Sequence, residues 1–251
     1  MVEPLAGWRS RAKTRAVIVE LVGLPGVGKS HLCRTLRDRH VAGRGAPIRV
    51  LVEVEPTKLG IVHGMTGKLW RASLFAAMHT GTAWKLVRVV DSRGGILRRG
   101  RPSKFVNLLS EAARSARVPR SEILISEQGV LQAVWSLQMR SDESVYAELL
   151  EPLSRWLPKR VVLVKIDRAE YESRLSRREG GRSHFDQLEA ERLPDAIERG
   201  VRHTHDILDG WARHVTDADR LDFWNDRSAR ADDIVEWLND REPARTDAPS
   251  R

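Results

Sequence analysis

The residues with the clearest chemical pattern lie near the start of the chain, in the stretch GLPGVGKS. Gly23, Gly28, Lys29 and Ser30 match the spacing G-x-x-x-x-G-K-[ST]. Glycines permit a tight turn whose backbone N–H groups approach an anion closely, a lysine adds positive charge, and a serine hydroxyl can bind Mg²⁺. An apolar, β-branched run precedes the stretch and a segment with helical periodicity follows it, which is the context that this motif requires. The stretch therefore predicts a site for nucleotide phosphates.

We expect seven residues to surround these phosphates. Lys29 would reach the β- and γ-phosphates as a point charge, and Ser30 would bind the metal ion. The phosphate-binding set is Gly23, Gly26, Val27, Gly28, Lys29, Ser30 and His31.

Length and composition favour one globular domain. The chain has 251 residues, of which 41% are hydrophobic, and α/β folds of this size often form one domain. We place that domain at residues 16–238. Residues 1–15 are polar and basic and predict a flexible N-terminus, while residues 239–251 have the composition of a disordered tail.

The net charge of +9 is concentrated in one segment. Residues 88–104 carry six basic residues and one acidic residue, more than half of the net charge. This segment has no zinc-ligand spacing and no RNA-binding signature, so its charge suits a phosphorylated substrate or solvent as well as a nucleic acid. We expect a small-molecule partner rather than a nucleic acid.

The remaining composition predicts a cytoplasmic protein. One cysteine excludes an internal disulfide, and no run of 18 apolar residues indicates a membrane span. The first residues lack the apolar centre of a secretory signal. The sequence does not fix an oligomeric state, and a homodimer is compatible with it.

Apolar runs alternate with helical periodicity along the chain, which predicts a parallel sheet covered by helices on both faces. Such sheets bind ligands at the carboxyl ends of their strands. The predicted strands are Ala16–Val22, Ile48–Val54, Ile123–Ser126, Val161–Ile166 and Arg220–Trp224. The predicted helices are Lys29–Arg39, Leu69–Val90 in pieces, Lys104–Ala116, Gly129–Met139, Asp142–Trp156, Ala169–Arg178, Asp186–Ala212 and Ala229–Leu238.

Acidic residues follow two of these strands. Glu55 precedes Pro56 after the second strand, and Glu127 follows the third in ISEQG. Carboxylates at these ends can accept a proton from a hydroxyl or organise Mg²⁺. Glu53 lies two residues before Glu55 on the same strand face and competes with it as the base.

Arginines follow the fourth strand. Arg174 and Arg178 are four residues apart and share a helical face, and Arg182 follows two glycines. Cations on a segment that can close would neutralise charge on a transferring phosphoryl group and exclude water.

Four features occur in this order along the chain: the GLPGVGKS stretch, Glu55-Pro56, Glu127 in ISEQG, and the arginines after the fourth strand. These four landmarks resemble the nucleoside and nucleotide kinases of the P-loop class, particularly the deoxynucleoside kinase and thymidylate kinase branch. The resemblance extends from Gly23 to about Leu238. It implies a three-layer P-loop NTPase fold with a five-stranded parallel sheet, helices on both faces and a mobile arginine-bearing lid at residues 174–186. It also implies that residues 59–104 bind the phosphate acceptor.

The resemblance implies an enzyme that transfers the γ-phosphoryl group of ATP to a hydroxyl or phosphate, first of all on a nucleoside or nucleotide, with Mg²⁺. Glu55 would be the base, with Glu53 and Glu127 as competitors, and Ser30 and Glu127 would organise the metal. The expected catalytic residues are Lys29, Glu55, Glu127, Arg174, Arg178 and Arg182.

One landmark departs from the family. Relatives commonly carry Asp-Arg, Glu-Arg-Ser or Asp-Glu-Gly where this chain has Ser126-Glu127-Gln128-Gly129. The arginine that helps to position the acceptor or phosphate is absent, which leaves a sugar or antibiotic acceptor open. An ATPase or GTPase switch is a further alternative, although the chain lacks the Asn-Lys-x-Asp element of guanine-selective proteins. The sequence does not decide between ATP and GTP as donor.

Overall fold

A computed structural model describes ten stretches of the chain. They are residues 17–40, 48–51, 58–92, 101–119, 123–139, 146–177, 185, 188, 190–225 and 231–240. Their strands are β1 (Val17–Val22), β2 (Ile48–Leu51), β3 (Ile123–Ser126), β4 (Arg160–Lys165) and β5 (Asp219–Trp224). Their helices are α1 (Lys29–His40), α2 (Lys58–Met78), α3 (Thr80–Ser92), α4 (Arg101–Ser115), α5 (Val130–Gln138), α6 (Tyr146–Leu153), α7 (Arg168–Ser176), α8 (Leu193–His214) and α9 (Ala231–Asp240).

The five strands form one sheet in the order β2-β3-β1-β4-β5, and every pairing is parallel. The registers pair Glu20 of β1 with Ser126 of β3, and Val22 of β1 with Leu163 of β4. The carboxyl ends of β1, β3 and β4 therefore meet at one edge, and the segments that follow these strands lie together.

Strands β3 and β4 form because continuous apolar, β-branched runs can be buried on both sides of a sheet. All four residues of β3 are buried, as are the four middle residues of β4. Successive strand residues point to opposite faces, so both faces of the sheet are covered. The α/β class with a parallel sheet and flanking helices is thus confirmed.

The second connection, predicted as helix in pieces over Leu69–Val90, consists of two helices with wider bounds. Helix α2 begins at Lys58, and α3 continues to Ser92. The break lies at His79, whose ring packs against Phe75 and Trp156 at 4.8 and 4.9 Å between centroids. The junction between the two helices therefore lies where His79 contacts Phe75 of α2 and the distant Trp156.

Two other helix boundaries also move. Helix α8 begins at Leu193 rather than at residue 186, after a 3₁₀ turn at Ala190–Arg192, and Pro194 lies in its first turn, where proline is tolerated. Helix α9 continues to Asp240, two residues past the expected end of the domain at 238. No described helix combines the length and apolar character that a membrane span requires.

The core supplies a stability test on α4. Leu108 is fully buried, whereas Leu69 of α2 is 49% exposed. We expect Leu108→Ala to lower the free energy of unfolding by about 2–5 kcal/mol, because it removes buried apolar surface and leaves a cavity. Urea denaturation measures this change, with Leu69→Ala as the matched control at below about 0.5 kcal/mol. Equal losses in the two variants would contradict the described packing.

Candidate active site

The site is built around the loop that connects β1 to α1, residues 23–30, called the glycine-rich loop below. Its backbone needs glycine at three positions, since φ is 154° at Gly23, 95° at Gly26 and 94° at Gly28. A Cβ at Gly23 would lie 2.6 Å from the carbonyl oxygen of Val164 on β4. The loop can therefore leave the centre of the sheet only because no side chain occupies that position.

Lys29, the first residue of α1, folds back over the glycine-rich loop. Its Nζ donates to the carbonyl oxygens of Gly23 at 2.6 Å and Leu24 at 2.9 Å. The helix itself continues from the loop, because Leu32 N donates to the Gly28 carbonyl at 3.0 Å. The ammonium group thus lies against the loop, where phosphate oxygens could replace the two carbonyls.

Ser30 and His31 occupy the first turn of α1, and both are exposed. Val27, by contrast, is buried beneath the glycine-rich loop with 2% of its surface exposed. The hydroxyl of Ser30 is accessible to a ligand, whereas the Val27 side chain serves packing and only its peptide groups can face one.

Helix α7 contacts the glycine-rich loop from the side of β4. Asp167 caps this helix by accepting a hydrogen bond from Ala169 N at 2.9 Å, which fixes where it begins. One turn later Tyr171, 2% exposed, donates its hydroxyl to the Pro25 carbonyl at 2.8 Å. The predicted arginine helix is therefore attached directly to the loop.

Arg174 lies one turn after Tyr171 and faces the loop. Its Nε donates to Glu170 at 2.9 Å and its Nη2 to the Asn225 carbonyl at 3.3 Å. A Cβ placed on Gly28 would lie 3.3 Å from Arg174 Nη1. The guanidinium is thus close to the residue that precedes Lys29.

Asn225 follows β5 and completes this side of the site. Its backbone N–H donates to Lys165 at the end of β4, at 2.8 Å. Its side-chain Nδ2 donates to the Val27 carbonyl at 2.5 Å. A side chain at Gly28 would collide with this amide, so Gly28 and Asn225 are sterically matched.

Glu127 approaches the loop from β3, the other neighbour of β1. It is 4% exposed and follows the last β3 residue, Ser126, whose hydroxyl donates to Gln128 O at 2.9 Å. Burial raises the pKa of the Cys33 thiol, the Glu127 carboxylate raises it further, and Lys29 lowers it. The charges of Glu127 and Lys29 therefore both lie near Cys33, one turn after Ser30 in α1.

Glu20 links β1 to the segment that follows Glu127. Its buried carboxylate accepts from Leu131 N at 3.1 Å and Gln132 N at 2.7 Å, at the start of α5. A Cβ on Gly129 would collide with this carboxylate, which explains the glycine there. Burial raises the pKa of Glu20 to about 7, and Glu111 of α4 also raises it, while the backbone hydrogen bonds lower it.

The residue types fit Mg²⁺ at the loop. Within the described stretches, no three His, Cys, Asp or Glu side chains converge as a metal cluster. Magnesium bound together with substrate phosphates uses few protein ligands and keeps several waters. Ser30 and Glu127 offer the residue types of that mode, a hydroxyl in the first turn of α1 and a carboxylate after β3.

The region predicted to bind the acceptor contains helices α2 and α3. Trp70 and Trp84 are 68% and 61% exposed on them, so neither fills the core. Arg71 Nε donates to the buried Ser110 hydroxyl of α4 at 3.0 Å. Burial and then the neighbouring Arg114 lower the pKa of Arg71, whereas Glu111 raises it.

The structure brings the glycine-rich loop and Arg174 together and places Glu127 beside α1. Glu53, Glu55, Arg178 and Arg182 lie outside the described residues, so their predicted roles stay predictions.

Three residues at the site were not predicted from the sequence: Glu20, Tyr171 and Asn225. A glutamate inside an apolar strand was a usable signal for Glu20, and a tyrosine one helical turn before Arg174 was a weaker one. Asn225 had only its position after a predicted strand.

No protein-family model matches the sequence, and no curated protein is significantly similar to it. A function for this chain is therefore inferred from the residues and geometry described above.

Glu20 gives the site a testable pH dependence. Its folded-state pKa of about 7 exceeds the ordinary value of 4.5, so between these pH values the folded protein binds more protons than the unfolded chain. We expect the free energy of unfolding to fall as pH rises from 4.5 to 7, and Glu20→Gln to flatten that slope. Urea denaturation across this range measures it, with exposed Glu151→Gln as control. Parallel curves for wild type and Glu20→Gln would contradict the assignment.

Proposed function

We propose that this protein is an ATP-dependent kinase that transfers the γ-phosphoryl group to a hydroxyl or phosphate of a small molecule, most specifically a nucleoside or nucleotide. The observation that carries the proposal is the convergence of Lys29 and Arg174 on one glycine-rich loop at the carboxyl edge of a parallel sheet. Phosphoryl transfer depends mainly on positioning and on neutralising charge, and two cations beside a glycine-rich turn supply both.

Three features support nucleotide binding by a P-loop. The loop leaves the central strand and enters a helix, whose N-terminus favours negative charge. Gly26 and Gly28 adopt conformations that let peptide N–H groups point at an anion. Lys29 is already seated on the loop and would exchange two carbonyl oxygens for phosphate oxygens.

The metal and the arginine have separate tasks. Ser30 and Glu127 would hold Mg²⁺, which neutralises charge on the β- and γ-phosphates when it is bound. Arg174 would stabilise charge that develops on the transferring group, with Arg178 and Arg182 as further cations of a lid over 174–186. Glu55 remains the proposed base for an acceptor hydroxyl, with Glu53 and Glu127 as alternatives.

The acceptor would lie against α2 and α3, in residues 59–104. Arg71 supports an acceptor that carries a phosphate, because a partly buried guanidinium beside Arg114 favours an anion. Two exposed tryptophans on the same helices offer surfaces on which a base or sugar could stack. These features favour a nucleotide over an uncharged nucleoside, and they also accommodate a phosphorylated sugar. The buried free thiol of Cys33 suits a cytoplasmic enzyme.

Substitution of Lys29 tests the proposal. The purified protein is incubated with γ-labelled ATP, Mg²⁺ and panels of nucleosides, nucleotides and sugars, and labelled products are separated. We expect transfer to at least one acceptor. Lys29→Ala should lower the rate of this transfer by about a hundredfold or more, because the positive charge that neutralises the phosphates is lost. Lys159→Ala, at the opposite edge of the sheet, is the control.

Two results would contradict the proposed kinase function. Unchanged turnover in Lys29→Ala would remove the loop from the chemistry. Label recovered only as inorganic phosphate, with every acceptor panel, would instead indicate a nucleotide-hydrolysing switch.

A further inference from the structure

The carbonyl oxygens of the glycine-rich loop are held by different parts of the chain. Lys29 holds those of Gly23 and Leu24, and Leu32 N holds that of Gly28. Two further bonds come from outside the loop and α1. Tyr171 of α7 donates to the Pro25 carbonyl at 2.8 Å, and Asn225 after β5 donates to the Val27 carbonyl at 2.5 Å.

These two external bonds fix the orientation of two peptide groups. A trans peptide is planar, so its C=O and its N–H point in opposite directions. With the Pro25 and Val27 carbonyls turned toward α7 and β5, the N–H groups of Gly26 and Gly28 point away from those elements. Both glycines have φ near +95°, which permits this alternation.

The N–H groups of Gly26 and Gly28 are hydrogen-bond donors that a ligand could use. Among the residues that the structure describes, neither Gly26 N nor Gly28 N has a hydrogen-bond acceptor. Both glycines are half-buried rather than sealed in the core, so a ligand can reach them. Two such donors on the loop that the Lys29 ammonium contacts are complementary to the oxygens of a polyphosphate.

We propose that Tyr171 and Asn225 are positioning residues for polyphosphate. Each donates a hydrogen bond to one loop carbonyl and thereby orients one glycine N–H toward the phosphates. The inference rests on the proposed nucleotide site and extends it to two residues that make no contact with the phosphates themselves.

The same contacts connect the loop to Arg174. Tyr171 lies one turn before Arg174 on α7, and the Arg174 guanidinium donates to the Asn225 carbonyl at 3.3 Å. A shift of α7 would therefore disturb the Pro25 bond and the arginine together. Loss of the Tyr171 hydroxyl should affect both phosphate binding and the rate of transfer.

Inorganic tripolyphosphate with Mg²⁺ is the probe, because it lacks a base and sugar. Calorimetric titration compares full-length wild type with Tyr171→Phe, which removes only the hydroxyl, and with Asn225→Ala. We expect each variant to raise the Kd for tripolyphosphate about three- to tenfold, the effect of one lost hydrogen bond. Tyr146→Phe, the same change at the other tyrosine, is the matched control and should leave the Kd unchanged.

A second readout separates positioning from general destabilisation. In ¹⁵N-labelled protein without ligand, we expect Tyr171→Phe to move the Gly26 amide signal and Asn225→Ala to move that of Gly28, with thermal melting confirming a folded chain. Unmoved glycine signals and an unchanged Kd would overturn the proposal. So would Asn225→Ala weakening ATP while leaving tripolyphosphate unaffected, because Asn225 would then act on the base or sugar.

The results for the wild-type protein distinguish the positioning role of Tyr171 and Asn225 from the proposed kinase function. Binding of tripolyphosphate that weakens in both variants, without transfer to any acceptor, supports the positioning role and contradicts the kinase. Transfer by a wild type whose variants bind equally well contradicts only the positioning role. A wild type that binds neither tripolyphosphate nor ATP contradicts both.

Discussion

The proposed phosphate site depends on the orientation of a few peptide groups in the glycine-rich loop. No side chain in this loop except Lys29 and Ser30 can bind phosphate, so its remaining binding capacity is in its backbone N–H groups. Those groups face a ligand only if the carbonyls of the same peptides are held elsewhere. Tyr171 and Asn225 supply that restraint from α7 and the end of β5.

The strand order makes this restraint possible. Because β1 lies between β3 and β4, the loop that follows it has a carboxylate on one side and an arginine helix on the other. Asn225 can reach Val27 because β5 pairs with β4 and its last residues lie at the same edge. Glu20 adds a third connection, from β1 to the start of α5, directly after the segment that carries Glu127.

The glycine-rich loop and the parallel sheet could be predicted from the sequence, because their signals are local. A fixed spacing predicted the glycine-rich loop, and alternating apolar runs predicted a parallel sheet, because both depend on neighbours along the chain. The order of strands is not local, and it brings Asn225 to Val27 across 198 positions and Tyr171 to Pro25 across 146. The prediction of helix in pieces over Leu69–Val90 did not locate the junction at His79, whose ring contacts Trp156 from far along the chain.

The most direct measurement is a crystal structure with Mg²⁺ and a non-hydrolysable ATP analogue. We expect phosphate oxygens within about 2.7–3.2 Å of Gly26 N and Gly28 N. We also expect the Lys29 ammonium to contact the phosphates instead of the Gly23 and Leu24 carbonyls. Tyr171 and Asn225 should keep their bonds to Pro25 and Val27. A bound nucleotide whose phosphates lie away from these glycines, with Lys29 still on the loop carbonyls, would contradict it.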